Sequence, residues 1–120
     1  ASFGEAEAYA RAVRERQRAL ETRGPGARDL DHWETLVVRH GLAVMRARRR
    51  AAESLVAAAR TAFARIAAPD LVLEGVYRPS APEEEAAYLE ALAIARIADS
   101  RRKSASIGPH RDELAVGRVR

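Results

Sequence analysis

Cysteine is absent from the chain, so a disulfide framework, a thiolate zinc site and a cysteine nucleophile are all excluded. Asparagine is absent as well, and glutamine and methionine occur once each. Only six residues are aromatic. Long apolar runs are missing too. A stretch such as Leu55 to Ala59 falls far below the ~18 residues that a membrane span requires. No signal-peptide pattern opens the chain, and its first residue is Ala1 rather than Met, which reads as a piece trimmed from something longer.

Alanine supplies most of what is there. It accounts for 27 of the 120 residues and dominates the 48% hydrophobic fraction. Alanine fills little space, so the expected core is thin, with helices packed closely through small side chains. Arginine occurs 20 times and lysine once. GC-rich codons or a hot habitat would each favour such a composition. Against 17 acidic residues this leaves a formal charge of +4. That excess permits a nucleic-acid or acidic-protein partner without establishing either.

The pattern predicts three helices. Ser2 and Glu5 resemble a capping box before a helix over about 4–22. Tyr9, Val13 and Leu20 mark its inner face, with Arg11, Arg14, Arg16 and Arg18 mostly off it. Gly24, Pro25 and Gly26 stop it. Asp31 and Glu34 signal a second start, and no proline follows until Pro69. This allows a helix over about 31–68, roughly 55 Å long at 1.5 Å per residue. Trp33, Val37, Val44, Ala51, Leu55, Ala59, Ala62 and Ile66 form a narrow seam along it, with Gly41 as a candidate bend. A short strand is expected over about 71–77, weakened or bulged at Gly75. Ser80 with Glu83, and Pro82 in the first turn, open a third helix over about 82–102, with Tyr88, Leu89, Leu92 and Ile97 inward. Ala115 to Arg120 reads as a strand. The expected fold is mainly α: an elongated antiparallel helical arm over 1–105 with short β segments at its base, then a return segment over 106–120.

Candidate chemistry is sparse. The densest basic patch is Arg46, Arg48, Arg49 and Arg50, in a stretch from Arg39 to Arg65 with seven arginines and one glutamate. Such a face contacts phosphates and positions a duplex without reading bases. Alternatively it is a solvated face balanced by acids of a neighbouring helix. No aromatic is interleaved with these arginines, so base stacking is not supported there. His32 and His40 stand eight apart with no third ligand at suitable spacing, which argues against a metal site. No Gly-rich phosphate loop and no pair of acids for magnesium is present, so the chain alone is not expected to hydrolyse ATP. Gly108-Pro109-His110-Arg111-Asp112 is the most specific segment. A rigid Gly-Pro turn presents three polar groups of different charge at the mouth of a strand. A turn held by an Arg–Asp pair is the plainer alternative.

Gly108 to Leu114, preceded by Ser104-Ala105-Ser106-Ile107, resembles the Gly-Pro-His-Arg-Asp-Asp-Leu motif of the RecF family, SMC-like bacterial ATPases of DNA recombination and repair. Glu113 replaces the second aspartate. Tyr9 to Leu20 resembles the family's first arm helix, with Arg16-Gln17-Arg18 where Gln-Arg-Asn is usual. Leu30-Asp31-His32-Trp33 and Met45 to Arg50 resemble the start and the basic stretch of its long helix. The resemblance covers essentially the whole chain. It implies the helical arm of an ATPase whose phosphate loop lies upstream and whose signature and magnesium motifs lie downstream. It further implies ATP and Mg2+ as cofactors of the parent, with an ATP-dependent homodimer clamping DNA at gaps and single-/double-strand junctions. RecR and RecO would be partners in recombinase loading, in the cytoplasm and away from membranes. The rival function is a structural helical module that docks a protein or a second copy.

Overall fold

A computed structural model describes residues 3–66, 72–109 and 113–119. Its secondary structure is mainly helical. Helix α1 spans Phe3–Arg23, α2 spans Leu30–Ile66 and α3 spans Glu85–Arg102. Strand β1, Val72–Arg78, pairs antiparallel with β2, Glu113–Val119, and the register runs through Gly75 opposite Val116 without a bulge. The molecule measures 59 × 26 × 22 Å.

α1 and α2 form an antiparallel hairpin. Gly24 closes α1 in the left-handed region, φ 81°, and its amide donates to the Leu20 carbonyl at 2.9 Å. Leu20 and Leu30 are buried together at the turn, and Tyr9 reaches α2 at Gly41 near the far end. α3 returns antiparallel to α2, with Arg96 at the level of Glu34 and Tyr88 at the level of Gly41. It therefore runs parallel to α1. The main core gathers Tyr9, Ala12, Val37, Val38, Val44, Met45, Tyr88 and Leu92.

Several sequence expectations change. α2 runs unbroken through Gly41, whose missing side chain makes room for two tyrosines: a Cβ there would lie 2.8 Å from the Tyr88 hydroxyl and 3.3 Å from Tyr9 Cε1. The expected seam holds at Val37 and Val44 but not beyond. Leu55 is 59% exposed, and the buried positions there are Ala52 and Val56. Leu55 stands 18 residues after Val37, about five full turns, and so shares its face. What is lost is cover, because α1 begins at Phe3, only about two turns beyond the level of Gly41. On α3, Tyr88 and Leu92 are buried, Leu89 is partly buried, and Ile97 points to solvent.

Helix starts differ as well. α3 begins at Glu85 rather than at 82, and its N-cap is Glu84, whose carboxylate accepts the Ala87 amide at 2.9 Å. Ser80 is drawn off that role because its hydroxyl donates to the Gly108 carbonyl, and Glu83 pairs with Arg49. Ser2 of the expected capping box lies outside the described residues, and Glu5 faces His40 Nδ1 at 2.6 Å across the hairpin. Glu34 is buried at 2% exposure instead of capping α2.

Candidate functional site

The middle of α2 and the segment after α3 meet in one place. Arg48 donates through Nη1 to the Pro109 carbonyl. Ser80 holds the neighbouring Gly108 carbonyl. Gly108 sits at φ 137°, a conformation that favours glycine, and both Gly108 and Pro109 are buried. The buried Asp99 carboxylate accepts the Ser106 amide at 3.1 Å. Thus α2, α3 and the link before α3 all grip the stretch 106–109. His110, Arg111 and Asp112 lie outside the described residues.

The four arginines of the basic patch have different environments. Arg48 and Arg49 are tied to partners within the chain. Arg49 pairs with Glu83, and its guanidinium lies 5.3 Å from the centre of the Tyr77 ring, a cation–π distance. Arg46 and Arg50 are exposed and have no ion-pair partner among the described residues. The patch is therefore half tether and half free cation. Tyr77 comes from a distant part of the sequence, so inspection of the arginine run alone does not reveal this aromatic neighbour.

A second cluster lies apart from the basic patch and the Gly-Pro segment. Arg16 is 1% exposed, at the centre of the three helices rather than off the inner face of α1. Its Nε donates to Glu34 Oε2 at 3.0 Å, its Nη1 to Asp99 Oδ2 at 2.8 Å, and its Nη2 to the Leu92 carbonyl at 3.0 Å. Arg96 binds both oxygens of Glu34, at 3.0 and 2.5 Å, and Asp31 at 2.8 Å. Glu34 and Asp31 together hold the Arg96 proton more tightly than usual, raising its pKa. Gln17 Nε2 donates to the Asp99 carbonyl at 2.9 Å. Two buried carboxylates thus face two guanidiniums, which meets the requirement that buried charge be paired. The available signal was spacing. Arg16 stands seven after Tyr9 and four before Leu20, on the inner face, but its charge obscures this.

At the hairpin turn, Arg23 Nη2 binds both oxygens of Asp29 at 2.7 Å, and Trp33 Nε1 donates to Asp29 Oδ2 at 3.2 Å. The Arg23 hydrogen bonds lower the Asp29 pKa, and the Trp33 bond adds to this. No group of His, Asp and Glu converges on a metal site among the described residues. The sequence contains no Gly-rich phosphate loop. No helix is long and apolar enough to cross a membrane.

No family model matches the chain. It is 34% identical over 107 residues to the DNA replication and repair protein RecF of Herpetosiphon aurantiacus, covering 88% of this chain and 26% of that protein. Two solved structures share its fold. The recombination mediator protein RecF-ATP in the RecFOR pathway superimposes with TM-score 0.77 at 21% identity, over 96% of this chain and 33% of that one. The RecF-ATPrS form gives TM-score 0.78 at 20% identity, over 97% and 34%. The chain therefore spans about a quarter of that curated relative's length.

Proposed function

Because the chain is RecF-like along nearly all of its length, we propose that it serves as the helical arm of a RecF-type recombination and repair protein. In this reading the parent binds ATP and Mg2+ through residues outside this segment. It forms an ATP-dependent dimer that clamps DNA at gaps and single-/double-strand junctions. It acts with RecR and RecO in recombinase loading, in the cytoplasm. The arm itself performs no catalysis.

One observation carries the arm's part in this. The basic stretch of α2 and the Gly-Pro-His-Arg-Asp segment are joined through Arg48 and the Pro109 carbonyl. Arg46 and Arg50 offer free cations to backbone phosphates, while Arg48 holds the Pro109 carbonyl and Arg49 pairs with the Glu83 carboxylate. Arg111, just past the grip on residues 106–109, would contact DNA phosphate or an acidic group of the ATPase head, with His110 beside it and Asp112 orienting it. A guanidinium forks onto either partner.

The test uses the full-length parent. Replacing Arg46 and Arg50 by Glu should weaken duplex binding for every sequence. It should also flatten the salt dependence by roughly 0.9 for each phosphate left unneutralised. Arg111→Lys and Arg111→Ala should both reduce ATP-dependent DNA binding with the melting temperature unchanged. Unchanged affinity and salt slope in the double variant would refute the phosphate role of α2. Parallel loss of stability and binding at Arg111 would make that residue structural.

A further inference from the structure

The α1–α3 side of the molecule has an outer margin that no described element covers. Its α3 stripe is Ala87, Ala91, Ile94, Ala98 and Arg101, spaced four, three, four and three, on the side away from buried Tyr88, Leu92, Ala95 and Asp99. Ile94 is 75% exposed, and Ile97 beside it is 57% exposed. The matching α1 stripe is Ala10, Arg14, Gln17 and Glu21, and Gln17 reaches across to the Asp99 carbonyl. The Ser100 hydroxyl donates to the Leu20 carbonyl at 3.4 Å and fixes the same parallel register. Arg14 and Ile94 therefore border one junction from its two sides.

Charge around this margin is mostly of one sign. Arg14, Arg18, Arg101 and Arg102 are exposed and have no ion-pair partner among the described residues. Glu7, Glu21 and Glu90 are the nearby acids. Two isoleucines a turn apart, floored by partly buried alanines and rimmed by arginines, match the composition of a protein-docking surface: an apolar centre with arginine enriched. We propose that this face docks an acidic amphipathic helix of a partner protein, its apolar residues on Ile94 and Ile97 and its carboxylates on Arg14 and Arg101.

Charge complementarity selects this occupant over the other two. A second copy would bring the same arginines against themselves. A DNA backbone would satisfy the arginines but leave the isoleucines with nothing apolar to cover them. The inference stands independently of DNA binding through α2.

A labelled helical peptide of about 20 residues, leucines three and four apart with glutamates between, is the probe. Fluorescence anisotropy with the 120-residue chain should show binding that a lysine-for-glutamate version lacks. Ile94→Ser with Ile97→Ser, and separately Arg14→Ser with Arg101→Ser, should each weaken it about tenfold or more. Arg46→Ser with Arg50→Ser on α2 should leave it within about twofold. All these positions are exposed, and circular dichroism checks that each variant stays helical. Unchanged peptide binding by the isoleucine variant would overturn the proposal, leaving only general charge attraction. So would variants that weaken a duplex of about 20 base pairs instead of the peptide. A dimer in sedimentation that Ile94→Ser and Ile97→Ser disperse would overturn it in favour of a second copy.

Discussion

Arg16 shows how far one buried charge can organise a small helical fold. Its guanidinium uses three nitrogens on three partners, one from α2 and two from α3. Removing it leaves Glu34 with Arg96 alone and Asp99 without a cationic partner, both in the interior. Breaking a buried pair in this way costs about 3–5 kcal/mol, because the remaining charge stays desolvated. Arg16→Met, which keeps most of the volume, should therefore lower the unfolding free energy by about that amount, as read from urea midpoints. Arg16→Lys should fall between, since an ammonium cannot fork onto three groups in one plane. A midpoint unchanged by Arg16→Met would mean that the cluster contributes nothing net. The sequence concealed this residue because a charged side chain at an inner position reads as an outer one until its partners are known. Those partners lie 18 and 83 positions away.

At the scale of elements, Gly41 separates two effects that usually compete. In an exposed helix, glycine to alanine gains up to about 1 kcal/mol of propensity. Here the added Cβ meets the Tyr88 hydroxyl at 2.8 Å, and Tyr88 is fully buried and cannot swing aside. Overpacking of this kind costs about 1–3 kcal/mol. Gly41→Ala should thus destabilise the chain, and Tyr88→Phe added to it should recover part of the stability by removing the clashing oxygen. Thermal melts of the two single variants and the double variant test this, and additive effects would refute the clash. The mainly helical class was legible because the 3.6-residue pattern and the proline-free stretch from Asp31 to Ala68 leave little else to form. Helix starts were less legible. Ser80 and Glu83 have the spacing of a capping box, yet Gly108 and Arg49 claim both side chains. In the basic patch, helical spacing of three and four places Arg46, Arg49 and Arg50 on a common face. Only tertiary structure separates the tethered Arg49 from the exposed pair.

Across the whole molecule, support for α2 is graded along its length. Val37, Val38, Val44 and Met45 are buried between α1 and α3. From Ala57 to Arg65, by contrast, every residue is exposed except the partly buried Ala59 and Phe63. Local opening follows the density of buried packing. Hydrogen exchange should therefore be slow at the amides from Val37 to Met45 and faster by about an order of magnitude or more from Ala57 to Arg65. Equal protection at both ends would show that the distal half is held by something other than this buried packing.

The length of α2 has a mechanical consequence. A continuous helix of 37 residues is a lever about 55 Å long. Gripped near its middle, it turns angle into distance at both ends. A tilt of about 5° at the Arg48 fulcrum would sweep each end through about 2–3 Å, on the order of the gap between a hydrogen bond made and one broken.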